Sequence, residues 1–262
     1  MPNPPRASRS AALAVGSLLA GPALAAGVTL AASELRAQEP VRDLATIFEP
    51  GALVADANGD GVADRVNAGL VMSDEPSVAE EAAAAEIAAR LGFETMALDL
   101  PLARGTDGPT PVVVGRGGLA AAGVAAPVDP ASLDSGEGVV SLSSIDGRPW
   151  IFVLGGDDEG LLAAGRLFAG VLPHTRTLST AHLEEVREDL ETALAADGVE
   201  DATVRLTQAR ALWEEDGIHR LVVEVEAADA TAAADALARL ASPDTVRGEE
   251  PDSASAILSL IH

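Results

Sequence analysis

The chain has no cysteine, no lysine and no tyrosine, and aromatic residues fill only 2% of its 262 positions. Without cysteine there are no disulfides, no thiolate metal ligands and no thiol nucleophile. Without lysine, serine–lysine chemistry is excluded and all 17 basic side chains are arginine. With so few aromatics the core must be built from Ala, Val, Leu and Ile, within a hydrophobic content of 48% that is globular rather than disordered. Recognisable catalytic motifs are missing too: there is no H-E-x-x-H and no G-x-S-x-G, and His174, His182, His219 and His262 show no close metal-ligand spacing. His219 alternates with apolar neighbours and reads as a partly buried structural residue.

Positive charge is scarce. Forty-one acidic residues against 17 basic ones give a net charge of −24. Such a surface repels phosphate backbones and anionic lipid head groups, which excludes nucleic acid and anionic membrane surfaces as partners. A GC-rich coding bias and adaptation to high salt produce the same composition, so acidity alone identifies no substrate.

What is present begins at the N-terminus. Arg6 and Arg9 precede the uncharged run "AALAVGSLLAGPALAAG", the n-region and h-region of an export signal, with "ALA" at 23–25 fitting the small-x-small cleavage rule. The uncharged run continues to Ala32, about the length of a bilayer span, so a retained anchor is the alternative. The two arginines are separated, which does not support a twin-arginine signal. Residues 1–37 are therefore a signal peptide or anchor and 38–55 a linker, placing the protein in the periplasm, at the cell surface or outside the cell.

Length favours two cores, and the pattern divides at about residue 175. In 56–175, "DRVNAGLVM" (64–72) has strand character. "SVAEEAAAAEIAARLGF" (77–93) is a helix capped by Ser77 and stopped by Gly92, with Ala84, Ile87, Ala88 and Leu91 on its apolar face. "TMALDLPL" (95–102), "TPVVVG" (110–115), "GVVSLSSI" and "RPWIFVLGG" read as strands, the last two joined by the turn Asp146-Gly147, and 157–173 as a helix. In 176–262 an amphipathic helix (180–198) carries Leu183, Val186, Leu190 and Leu194 on one face. Two alternating strands, a second helix and a last strand follow. The expected fold is α/β followed by α+β: a mixed-sheet α/β layer domain, then a small ferredoxin-like (αββαβ) sandwich lacking its first strand. The chain stops on "IH", directly after a strand, which reads as a truncated frame whose catalytic portion, if there is one, lies further on.

The strongest chemical motif is "DANGDGVADRVNA" (56–68). A calcium loop places oxygen ligands at positions 1, 3, 5 and 9, a backbone carbonyl at 7, an acidic ligand at 12 and a glycine at 6. Asp56, Asn58, Asp60, Val62 and Asp64 occupy the first five of these, Gly61 sits at 6, and Asn67 stands at 12. The loop is similar to the "DxNGDGxxD" loops of secreted dockerin-like modules, with a strand where an EF-hand has a helix. It implies structural Ca²⁺; a polar turn made by the Asn-Gly and Asp-Gly steps is the bland alternative.

Other motifs are weaker. Gly115, Gly117 and Ala120 follow a strand at dinucleotide spacing, but the helix after them is short and lies mid-chain. Asp157, Asp158 and Glu159 occupy the helix N-terminus that would have to receive a phosphate. Glu94, Asp99 and Glu137 lie near strand ends, where paired carboxylates of a glycoside hydrolase would stand.

The order of signals from "VVVG" through Glu137-Gly138 and "GGDDEG" to the helix at Leu161–Leu172 resembles the small non-catalytic α/β domain that precedes the barrel in β-hexosaminidases and α-glucuronidases. The resemblance covers roughly 78–173, with Val and Leu replacing the family's aromatics. It implies an accessory module and carries over no catalytic residue. The sequence thus points to an exported, non-catalytic scaffold or ligand-binding module of a larger envelope or secreted protein, with a carbohydrate or an envelope protein as partner. A secreted hydrolase of glycans or peptides using carboxylates, and an anchored S-layer-like assembly protein, are the alternatives.

Overall fold

The Ser77 hydroxyl accepts from the Glu80 amide while the Glu80 carboxylate accepts from the Ser77 amide, a reciprocal capping box that starts α1 (Val78–Glu94). The computed structural model describes residues 43–95, 103–171, 182–215, 217–240, 246–250 and 253–259, all within one compact unit, Gln38–His262. Helix α1 buries Ala83, Ala84, Ile87 and Leu91 on one face, with Ala88 half-buried, as the 3.6-residue spacing predicts. It does not stop at Gly92. Buried Glu94 pairs with Arg90 one turn back, and this pair with the packed Leu91 offsets the helical cost of glycine, about 1 kcal/mol.

Before α1 come β1 (Val54–Ala55), β2 (Arg65–Val66) and β3 (Ala68–Val71). The strand expected at 95–102 falls outside the described residues except for Thr95, which caps α1. The chain continues as β4 (Ala103–Arg104), β5 (Thr110–Val114), α2 (Gly115–Ala122), β6 (Glu137–Ile145), β7 (Arg148–Gly155) and α3 (Asp158–Arg166). Asp146 and Gly147 join β6 to β7 with φ of 52° and 73°, the paired left-handed conformations of a tight hairpin turn. Helix α3 gives way to a π-helical turn, Leu167–Val171, where a uniform helix was expected. Then follow α4 (His182–Ala196), β8 (Thr203–Leu212), β9 (Arg220–Glu226), α5 (Ala230–Leu240), β10 (Val246–Glu250) and β11 (Ser253–Ser259).

Among the described residues, nine strands form one sheet in the order β10-β11-β9-β8-β6-β7-β5-β3-β4. The β7-β5-β3-β4 portion is parallel and the rest antiparallel, so the fold is α/β with a mixed sheet. Strands from 56–175 and from 176–262 meet where β6 pairs with β8, Ser141 lying opposite Gln208. Alternation assigns the faces. Val112, Val114, Val140, Ile151, Val153, Leu206 and Val223 pack on one side with α1, α3, α4 and α5. Val113, Val139, Trp150, Phe152 and Leu154 pack on the other, against Leu119 and Ala122 of α2 and the segment around Val128 and Leu133. No helix among the described residues is long and apolar enough to cross a membrane.

Candidate functional site

The acidic loop links β1 to β2, which pair through Val54–Val66 and Ala55–Arg65. Its side chains fold back on its own backbone. Asp56 accepts from the amides of Gly59 and Gly61, each at 2.7 Å; Asn58 accepts from the Asp60 amide at 2.9 Å, and Asp60 from the Val62 amide at 2.9 Å. Asp64 closes the ring by accepting from the Ala57 amide at 2.9 Å. Gly59 and Gly61 take φ of 78° and 84°, conformations that glycine adopts without steric cost. The Gly61 amide, ahead of the other backbone donors, holds the Asp56 carboxyl below its ordinary value.

These oxygens suit a hard cation in type. Among the described residues, however, no three His, Asp or Glu side chains are grouped to hold a metal ion. Asn67 is engaged elsewhere: its side-chain amide donates to the Ala52 carbonyl at 3.0 Å and its backbone amide to Leu53 at 2.8 Å, while its carbonyl accepts from Thr110. It braces β5 against the approach to β1. The structure thus brings Asp56, Asn58, Asp60 and Asp64 together around one loop, and the Asn67 side-chain nitrogen is held by Ala52.

The second candidate is a crevice of about 670 Å³ over the carboxyl ends of β5 and β7. Because parallel strands each feed a helix, the N-termini of α1, α2 and α3 converge there, the place where open α/β sheets seat ligands. Ser77 and Glu80 line it from α1, Gly115 and Arg116 from α2, and Gly155 through Glu159 with Leu161 from the β7–α3 turn.

Three helix N-termini would attract an anion, but each already has a carboxylate. Glu80 is 6% exposed and reaches from α1 to accept from the Gly117 amide of α2 at 2.7 Å. The glycines are required by this contact: a Cβ at Gly115 would lie 2.5 Å from Glu80 Oε1, and one at Gly117 2.7 Å from it. The turn with dinucleotide spacing is therefore an anion cradle filled by the chain's own side chain. At α3, Asp157 caps the helix by accepting from Gly160 at 2.8 Å and also accepts from the Ser135 hydroxyl at 2.6 Å. The Ser135 hydroxyl and then the Gly160 amide hold the Asp157 carboxyl below its ordinary value. Arg116 donates to the carbonyls of Gly156 at 2.7 Å and Pro130 at 3.2 Å, tying α2 to the β7–α3 turn.

The carboxylates singled out for hydrolysis have other partners. Glu94 is buried against Arg90 at 2.7 Å, and Arg90 also donates to Ala169 of the π-helical turn and lies over the Phe48 ring. Glu137 is buried at the start of β6, accepts from the Asp134 amide at 3.1 Å, and faces Arg210 at 3.3 Å and Arg220 at 3.8 Å. Asp99 lies outside the described residues. His219 is half-buried and stands just before β9, 3.2 Å from Glu215.

The bond from Glu80 to α2 is not foreseen from the sequence; the glycine spacing at 115–118 was the available signal. The arginine partners of Glu137 had no local signal. Compared with known proteins, the chain matches no family model and no curated protein.

Proposed function

We propose that this chain is an exported, non-catalytic ligand-binding or scaffold module of a larger cell-envelope or secreted protein. The observation that carries the reading is the crevice: it lies where α/β proteins hold ligands, while its chemically capable groups, Glu80, Asp157 and Arg116, are engaged in tying three helices together. Glu80, Asp157, Asp158 and Glu159 against Arg116 disfavour an anion. A hydroxyl-rich neutral ligand suits the remaining donors and acceptors, in keeping with the loose resemblance to accessory domains of glycan-degrading enzymes. The N-terminal signal pattern supports export.

The test is calorimetric titration with neutral oligosaccharides, alongside Arg116→Ala. Saturable binding weakened by the substitution supports the reading. Turnover of any glycan by the chain, or no binding across the panel, overturns it.

The acidic loop is proposed to take Ca²⁺ as a structural clasp, supported by its donor spacing and left-handed glycines. No binding heat at millimolar Ca²⁺, or identical heat for Asp60→Ala, removes the metal from the account. For residues 176–262 we propose the ferredoxin-like half-sandwich. Its support is the antiparallel order β10-β11-β9-β8, in which β9, α5 and β10 form a split βαβ unit around β11, with apolar residues of α4 and α5 packed on one face.

A further inference from the structure

Four buried polar atoms without a hydrogen-bond partner among the described residues share one place: Ser141 Oγ, Trp150 Nε1, Gln208 Oε1 and Arg210 Nε. The register explains the grouping. Ser141 on β6 stands directly opposite Gln208 on β8 and Phe152 on β7; Trp150 is opposite Ser143, two residues along, and Arg210 is opposite Val139, two residues back. Residues directly opposite each other project from the same sheet face, and diagonal neighbours lie about 7–8 Å apart. The other three therefore surround Ser141, on the face where the cover by α2 ends at β6. Ser141 is 0% exposed and Trp150 4%, whereas Gln208 and Arg210 are half-buried, so the group is less deeply covered on the β8 side.

Buried polar atoms in folded proteins are nearly always satisfied by protein, water or ligand, so four together mark a place that takes a further partner. The atoms indicate what. Trp150 Nε1 and Arg210 Nε can only donate; the Ser141 hydroxyl and the Gln208 amide adapt to either role. The ligand must therefore offer lone pairs. Charge points the same way: Arg210 and Arg220 share the single carboxylate of Glu137, and the Arg148 guanidinium lies 5.3 Å from the Trp150 ring centre. In a chain of net charge −24 this is a local excess of positive charge.

We infer that the β7–β6–β8 seam around Ser141 is a binding site for a small carboxylate. It is separate from the crevice, which disfavours anions, and does not depend on the reading given for it. Full burial of Ser141 and Trp150 limits the part that enters to the carboxylate end of a ligand.

The chain has two tryptophans, Trp150 and Trp213, so indole N–H resonances report the site directly. Sodium acetate is titrated to 100 mM (about 0.1 M, near physiological ionic strength) against sodium chloride at equal ionic strength, with acetamide as the neutral analogue. The expected result is a saturable shift of the Trp150 indole with acetate only, Trp213 unmoved, and apparent affinity falling about tenfold in Gln208→Leu and Ser141→Val. That factor is the worth of one hydrogen bond to a charged acceptor. Should Ser141→Val fail to fold, Gln208→Leu, at a half-buried position, decides alone. A Trp150 resonance unmoved by acetate, an equal response to chloride, or unchanged affinity in Gln208→Leu overturns the inference.

Discussion

Replacing Glu80 by alanine tests whether the α2 cradle is filled from within. The carboxylate accepts two backbone hydrogen bonds, from Gly117 at 2.7 Å and Ser77 at 2.9 Å, and is buried. Hydrogen bonds to a charged group are worth about 1.5–3 kcal/mol each, and an amide left buried without an acceptor adds to the loss. The Ser77 amide lies nearer solvent and is partly recovered by water, so the expected loss for Glu80→Ala is about 2–4 kcal/mol. With a urea dependence of about 3 kcal/mol/M for a chain of this size, the unfolding midpoint falls by about 1 M. Glu81, in the same first turn but exposed, is the control: Glu81→Ala loses only a dipole contribution of about 0.3–1 kcal/mol.

The same geometry makes a coupling prediction. Gly117→Ala destabilises the protein because its Cβ meets Glu80, and in the Glu80→Ala background that penalty largely disappears. Acetate or phosphate should also restore part of the stability of Glu80→Ala by occupying the emptied cradle. If Glu80→Ala costs no more than Glu81→Ala, or the two penalties add, the carboxylate is not seated on α2 and the argument fails.

Arg90→Met removes one partner of a buried ion pair and is expected to cost about 3–5 kcal/mol, part of which Glu94→Gln in the same chain recovers; a loss under about 1 kcal/mol by urea unfolding would mean the pair is screened like a surface one. Asp56 and Asp157 titrate below the ordinary carboxyl value, so their stabilisation is present above that value and lost as pH falls through their lowered ones. Asp157→Asn should therefore flatten the loss of stability below about pH 4, and an unchanged acid limb would contradict this. Asp43 is shifted the other way, raised by burial against the opposing effects of the Ala45 amide and Arg187. Its contribution is present below the ordinary value and lost as pH rises through the raised one, so Asp43→Asn should be less destabilising at about pH 7 than at about pH 3.5. Expression of the full chain in a bacterial host, followed by N-terminal sequencing of the exported product, should give a start at Ala26; an intact Met1 would favour the retained anchor.

Local interactions made much of this protein legible from its sequence. Ser77 and Glu80 are three residues apart, so the capping box that starts α1 is written in adjacent text, as are the Asp146-Gly147 turn and the alternation that divides β5, β6 and β7 between two sheet faces. Tertiary structure decided what depends on distant partners. Gly92 failed to end α1 because Arg90 and Glu94 pair across it and Arg90 is held by Ala169, 79 residues away. The spacing that picked out Asn67 gave no sign that its side-chain nitrogen bonds the Ala52 carbonyl, 15 residues earlier. Glu80 and Gly117 meet across 37 residues, which turns a nucleotide-like glycine pattern into an internal clasp. Periodicity and capping are set by neighbours within a few residues along the chain. Which carboxylate fills which cradle, and which polar atoms gather around Ser141, depend on sheet register, and register is fixed only when the whole sheet assembles.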